Sequence, residues 1–312
     1  MAISKLLPAG FNLQFISKKS IFFAFSVLLI VASLGLFLTK GLNYGIDFKG
    51  GILIEIKTDG PADIADLRNR LESLDLGEVA LQEFGAPDDV LIRVQKQDGG
   101  DDAQQVAVEA VKGVLDANVE YRRTEFVGPT VSEELFIDGV TAVVLAIGAI
   151  LLYIWFRFEW QFGIGAVVAL THDVLATIGA FALLGLEFNL STVAAVLTIA
   201  GYSINDTVVV YDRVRENLRK YKKLPLPELL NNSINQTLSR TIMTSVTTLL
   251  ALIALFVLGG PVIHDFAFAM IFGVLIGTYS SICLAVPLLL HLNVDRNRLS
   301  AEDGETAPDG AG

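Results

Sequence analysis

Apolar residues along the 312-residue chain are gathered into six long runs separated by polar segments. A bilayer core of about 30 Å takes roughly 20 apolar residues in helical form. Runs of about that length occupy 21–39, 135–156, 163–184, 190–211, 241–258 and 266–290, and they predict six transmembrane helices. The first run is longer than the apolar core of a cleaved signal peptide and reads as an uncleaved anchor. Residues 40–134 follow another pattern. Positions 51–58 alternate, with β-branched residues, as a half-buried strand does. From Pro61 to residue 75, Ile64, Leu67, Leu71 and Leu74 recur at helical spacing, and proline suits the start of a helix. Residues 78–84 and 90–96 read as strands around a turn at Gly85-Ala86-Pro87-Asp88. Residues 102–118 read as a helix with Val106, Ala110, Val114 and Ala117 on one face, and 119–127 as a closing strand. The order β-α-β-β-α-β is the ferredoxin-like pattern. The expected fold class is an α-helical integral membrane protein with six transmembrane helices, carrying an α+β ferredoxin-like extracytoplasmic domain between helices 1 and 2.

Charge sets the expected orientation. Lys5, Lys18 and Lys19 precede the first span, Arg157 lies between the second and third, and Arg296 and Arg298 follow the sixth. Arg213, Arg215, Arg219, Lys220, Lys222 and Lys223 lie between the fourth and fifth. All fall on one side, which the positive-inside rule makes cytoplasmic. Segment 1–20, the basic loop 212–240 and the tail 291–312 are therefore expected inside, with both termini. The segment between spans one and two is expected in the periplasm. It carries twenty Asp and Glu against nine Lys and Arg over residues 41–134, and so accounts for most of the net charge of −11. Such acidity reads first as a solvated surface and second as a docking face. Within 212–240, Leu230, Ile234 and Leu238 recur every four residues. Two readings stay open there, an amphipathic helix on the inner membrane surface and an ordinary packed helix.

Composition narrows the class further. The chain is 53% hydrophobic and 18% charged, below the usual quarter for soluble domains. Its single cysteine, Cys283, excludes an intrachain disulfide. The acidic balance argues against nucleic acid as a partner. No nucleophile–base pair, metal-ligand cluster or phosphate-cradling loop stands out, so neither an enzyme nor a bound cofactor or metal is expected. Binding a polypeptide through the small domain is the better expectation.

Ionisable groups inside a span are costly and usually face a bundle interior. His172 and Asp173 lie well inside the third span, and Asp206 inside the fourth, with Asn205 beside it and Ser203 nearby. At ~1.5 Å per residue, Asp206 is about 9 Å from Asp212 at the end of its span. Arg240 opens the fifth span, and its long stem could reach toward Asp206. A carboxyl that alternately gains and loses an arginine neighbour would release and take up a proton, which is what coupling to a proton gradient requires. Asp206 and Arg240 are therefore the candidate proton-coupling pair. His172, Asp173, Asn205 and Ser203 are candidates for a proton relay or for interhelical polar contacts. Glycines 35, 148, 163, 165, 179, 273 and 277 are expected to permit close helix packing.

Several of these segments resemble known motifs. Gly45-Ile46-Asp47-Phe48-Lys49-Gly50-Gly51 resembles the Gly-Gly motif that follows the first span in the SecD/SecF family of bacterial protein-export membrane proteins. Val127-Gly128-Pro129, Arg157-Phe158-Glu159-Trp160 and His172-Asp173-Val174 agree with it. So do the run from Gly201 through Asp206 to Asn217, the run from Gln236 through Arg240 to Thr241, and Gly259-Gly260-Pro261. The resemblance covers about residues 40–290 and is closer to the SecF branch than to SecD, on the Asn205-Asp206-Thr207-Val208-Val209-Val210 run. This chain has Ser132 where the family often has a second glycine, and Asn189 where it often has Asp. The resemblance implies a six-span half of an RND-superfamily transporter in the bacterial inner membrane. Its partners would be SecD, the SecYEG channel, a translocating preprotein, the lipid bilayer and protons. Its energy source would be the proton motive force, acting through residues that match Asp206 and Arg240. The alternatives are a small-molecule or lipid exporter subunit of the same superfamily, and a structural scaffold of the translocase.

Overall fold

The computed structural model describes residues 12–115, 119–292 and 294. The elements in chain order begin with α1 (Lys19–Lys40), entered from a 3₁₀ turn at Ile16–Lys18. Then come β1 (Asn43–Tyr44), α2 (Ile46–Lys49), β2 (Gly51–Lys57), α3 (Ile64–Glu72), β3 (Val79–Phe84), β4 (Ala86–Val94), α4 (Asp101–Val114) and β5 (Glu120–Val127). The remainder is α5 (Pro129–Arg157), α6 (Trp160–Leu184), β6 (Glu187–Phe188), α7 (Leu190–Lys220), α8 (Leu226–Leu258), α9 (Pro261–Ser280), a π-helical turn at Ser281–Ala285 and α10 (Val286–Leu288). Among the described residues, six helical stretches are long and apolar enough to cross a membrane: Ile16–Lys40, Pro129–Arg157, Trp160–Leu184, Leu190–Lys220, Leu226–Leu258 and Ile263–Leu288.

The chain divides into two compact units. One comprises Asn43–Val144 and Leu186–Val193. Its four-stranded sheet has the order β3-β4-β2-β5, antiparallel throughout, with a register shift between Glu55 and Ile56 where β2 meets β5. The alternation of β2 sends Ile52, Ile54 and Ile56 to one face, where they pack with Leu67 and Leu71 of α3 and Val108 and Val111 of α4. Each such side chain contributes roughly 1.5–3 kcal/mol by burial. Leu53 and Leu91 point the other way, onto Ile46. The start of α3 differs from expectation. The helix starts at Ile64 rather than Pro61, and Asp63 caps it, accepting hydrogen bonds from the Ala65 and Asp66 N–H groups at 3.1 and 3.0 Å. The expected turn at 85–88 is also tighter, because strand pairing resumes at Ala86 after Gly85 alone, at φ +85°. Residues 116–118 at the end of the expected second helix lie outside the described residues, as do Lys5, Arg296, Arg298 and all but one residue of the tail after 292.

The other unit is the helical bundle, with an interior that includes Phe158, Phe162, Tyr211, Leu218, Leu229 and Ile234. Its helices run further than the apolar runs predict. The stretch expected as a basic loop is mostly helical, because α7 continues to Lys220 and α8 starts at Leu226. Leu230, Ile234 and Leu238 are buried against protein, so the packed reading of that helix holds. The last span is not one continuous α-helix. Its backbone widens into the π turn at Ser281–Ala285, just before Pro287, whose ring supplies no N–H for the preceding turn. Close packing uses only some of the glycines. A side chain at Gly179 would collide with Ser33, and one at Gly273 with Ile199, whereas Gly35 and Gly148 face open space.

Candidate functional site

The polar residues inside the bundle form a connected set centred on Asp173. Asp173 is fully buried on α6. Its Oδ1 lies 2.9 Å from His172 Nδ1, and its Oδ2 accepts from Ser203 Oγ of α7 at 2.5 Å and from Ser280 Oγ of α9 at 2.7 Å. Three helices therefore meet at one carboxyl. The neighbouring hydroxyls extend the chain of contacts: Thr207 Oγ1 and Ser281 Oγ are 2.8 Å apart, and Ser281 Oγ donates to the Ser203 carbonyl at 3.3 Å. Below them Tyr211 Oη donates to the Ala285 carbonyl at 3.1 Å, so the π turn is bound to α7 at both ends. His172 Nε2 is buried with no hydrogen-bond partner among the described residues, and its ring tilts against Tyr279 at 6.0 Å.

Asp206 lies on the same helix as Ser203 and is 3% exposed. Its Oδ2 is buried and has no hydrogen-bond partner among the described residues. Arg240 is exposed on α8, and no hydrogen bond or ion pair joins it to Asp206 among the described residues. Asn205 is exposed and takes no part in the Asp173 set. The structure thus brings His172, Asp173 and Ser203 together and leaves Asn205 out. It adds Thr207, Tyr279, Ser280 and Ser281, which sequence reasoning passed over. The signal for three of them was the polar run Thr278-Tyr279-Ser280-Ser281 at the end of the apolar stretch Phe266–Gly277. Among the described residues no three His, Cys, Asp or Glu side chains converge as a metal site.

The second constellation is the motif Gly45–Gly51. Ile46–Lys49 forms one helical turn closed by Gly50 at φ +69°, and Gly51 follows at φ +121° with its α-carbon facing the Val94 carbonyl. A side chain at Gly51 would press on that carbonyl, so the glycine is required by both conformation and space. Asp47 Oδ2 accepts the Leu190 N–H at 2.9 Å, while Asn189 Oδ1 accepts the Thr192 N–H at 3.1 Å. Together they satisfy two free amides at the first turn of α7. Phe48 packs among Tyr44, Phe136 and Phe188, at 6.3, 5.9 and 6.1 Å between ring centres. Arg93 ties Asn43 to Glu187, beside the short parallel pairing of β1 with β6. Ser132 is buried and bonds the Pro129 carbonyl at 3.0 Å.

These features define a polytopic membrane protein whose long helices enclose buried carboxyls, with a small α+β unit inserted after its first span. The chain belongs to the SecD/SecF family of protein-export membrane proteins. The family model described as protein export membrane protein SecD/SecF, C-terminal, matches residues 107–295, and that of the SecD/SecF GG motif matches 35–62. The chain is 49% identical over 301 residues to the protein translocase subunit SecF of Cereibacter sphaeroides, covering 94% of this chain and 93% of that one. It is 51% identical over 306 residues to the SecF subunit of Magnetococcus marinus, covering 95% and 97%. Among solved structures it resembles SecDF, a translocon-associated membrane protein from Thermus thermophilus, at a TM-score of 0.83 and 39% identity. That match covers 92% of this chain but only 39% of the SecDF chain.

Proposed function

We propose that this chain is a SecF-type translocase subunit that works with a SecD-type partner to promote preprotein movement through a SecYEG channel, using the proton motive force. Asp206 carries the coupling proton, and Arg240 is the cation whose approach and withdrawal drives its release and uptake. The observation that carries this reading is the Asp206 carboxyl itself, buried at the middle of a long apolar helix with one oxygen unbonded. A purely structural aspartate at that depth is expected to be saturated with donors, as Asp173 is. The absence of an ion pair with Arg240 fits one posture of a cycle in which that contact forms and breaks. We infer that the small unit is a ferredoxin-like domain, on the strength of its strand order and of two helices sharing one core with the inner face of the sheet. It lies on the periplasmic side of the inner membrane, with both termini in the cytoplasm, as the distribution of basic residues supports.

The test uses inverted membrane vesicles containing this protein, a SecD-type partner and the channel. Preprotein export is followed with the gradient present and collapsed. The Asp206→Asn variant is expected to assemble normally and to lose the gradient-dependent part of export. An equal response in variant and wild type would assign the carboxyl to structure and the protein to a scaffold role.

A further inference from the structure

The C-terminal end of α7 carries an open cavity of about 650 Å³, lined by Arg157, Asp212, Arg215, Glu216, Arg219 and Lys220. Four cations face two carboxylates, and both carboxylates are already engaged. Arg157 holds Asp212 at 2.8 Å and Arg213 holds Glu216 at 2.7 Å. Phe158 lies beneath two of the cations, its ring centre 4.9 Å from the Arg157 guanidinium carbon and 5.5 Å from that of Arg215. The shared ring, with the Arg215–Glu159 contact at 3.0 Å, holds the guanidinium groups in place before any ligand arrives. Arg215 Nε is buried without a hydrogen-bond partner among the described residues. Lys220 lies over the Tyr221 ring at 5.2 Å and makes no ion pair among the described residues. A second cavity shares Lys220 and adds Lys222 and Lys223. Beside Arg157, the side chains of Trp155, Phe156 and Trp160 are 78%, 96% and 55% exposed. Exposed aromatic rings at the end of an apolar helix mark headgroup level in a bilayer.

We propose that this cavity binds the phosphate of an anionic phospholipid, with Arg215 and Lys220 donating to its oxygens. The acyl chains run along the apolar surface next to Trp155 and Phe156. Inorganic phosphate shares the anionic chemistry but has no use for that apolar flank, and a zwitterionic lipid brings its own cation into an already positive site. The proposal rests on the reading of this helix end as a membrane face and is independent of proton coupling.

Purified protein in a neutral detergent is titrated with phosphatidylglycerol, phosphatidylcholine or inorganic phosphate, and Tm is followed, with native mass spectrometry counting bound lipid. Phosphatidylglycerol is expected to raise Tm saturably and to remain bound as discrete adducts, while phosphatidylcholine does neither. Lys220→Gln, which breaks no ion pair, is expected to weaken that response about fivefold, the factor corresponding to one basic group at a membrane surface. Lys57→Gln in the small domain is expected to leave it unchanged. Equal stabilisation by both lipids, full stabilisation by inorganic phosphate, or a Lys220→Gln response identical to wild type would each overturn the assignment. Failure of the vesicle export assay leaves this binding result intact, so the two readings fail separately.

Discussion

The hydrogen bond from Leu190 N–H to Asp47 spans 143 positions of sequence and fixes the start of the helix that carries Asp206 sixteen residues later. Replacing Asp47 by alanine removes an acceptor from an N-terminal amide of α7. Loss of a capping acceptor costs about 0.5–2 kcal/mol, and loss of a carboxylate from a helix N-terminus adds about 0.3–1 kcal/mol. Asn189 still serves the Thr192 amide, so the first turn is weakened rather than abolished. A net ~1–2 kcal/mol corresponds to roughly 5- to 30-fold in the opening equilibrium of that turn. Amide hydrogen exchange, read by mass spectrometry on peptides covering the start of α7, is expected to accelerate by that factor in Asp47→Ala. Asp47→Asn keeps an acceptor, loses only the charge and falls between. Exchange in the middle of α6 serves as the reference. Unchanged protection over Leu190–Val193 in a folded Asp47→Ala protein would refute the capping role. Acceleration spread evenly over every helix would show that the substitution acts on the whole fold instead.

Other consequences follow from the same geometry. Ser203→Ala and Ser280→Ala each remove one donor from Asp173 Oδ2, and each is expected to cost about 0.6–1.7 kcal/mol, as interhelical hydrogen bonds in membranes do. Because both act on one oxygen, the double variant should depart from additivity in thermal unfolding. Gly273→Val drives a side chain into Ile199 and is expected to lower stability by about 1–3 kcal/mol, whereas Gly148→Val, which meets nothing within 4 Å, should leave Tm unchanged. Leu71→Ala empties a fully buried position under the sheet and is expected to cost about 2–5 kcal/mol, seen as faster proteolysis of the small unit. The hydrogen bond from Lys57 holds the Asp88 carboxyl below the usual carboxylate range. The stabilising contribution is therefore intact above that range and fades as pH falls through the lowered value. Lys57→Met should return the Asp88 titration, followed by carboxyl NMR, toward the ordinary range.

The apolar runs made the spans legible because a bilayer demands their length, and the alternation at Ile52, Ile54 and Ile56 made the inner face of β2 legible because a pleated strand demands its period. Features set by contact between distant segments were not legible. β1 and β6 have two residues each, too few to show a period, and they pair only because the chain returns to Asn43 after α6. The start of α3 is ambiguous in sequence because Pro61 and Asp63 are both helix-start residues, and only the hydrogen bonds from Ala65 and Asp66 choose between them. The π turn has a visible cause in Pro287, but a proline in an apolar run predicts a kink as readily as a widened turn. Asn205 was grouped with Asp206 by adjacency. Neighbours on a helix point about 100° apart, so burial of one says little of the other.

Asp173 and Asp206 show why burial alone cannot assign a proton-coupling role. Both carboxyls are almost without exposure and both lie in long apolar helices. Asp173 meets an imidazole nitrogen and two hydroxyls from three different helices, so any change in its charge would disturb contacts on α6, α7 and α9 at once. Asp206 has an oxygen with no hydrogen-bond partner among the described residues, and Arg240, the cation proposed to act on it, sits on α8 with no ion pair to it there. A group that must exchange a proton while helices move is better served by the second arrangement. A group that must keep three helices in register is better served by the first. The two roles predict opposite profiles for the neutral amide variants. Asp206→Asn should keep the thermal stability of the wild type and lose gradient-driven export. Asp173→Asn turns an acceptor toward His172 or the serines into a donor, and so should lower Tm whether or not a gradient is present. The reverse pattern, a stable but uncoupled Asp173→Asn together with an unstable Asp206→Asn, would exchange the two assignments.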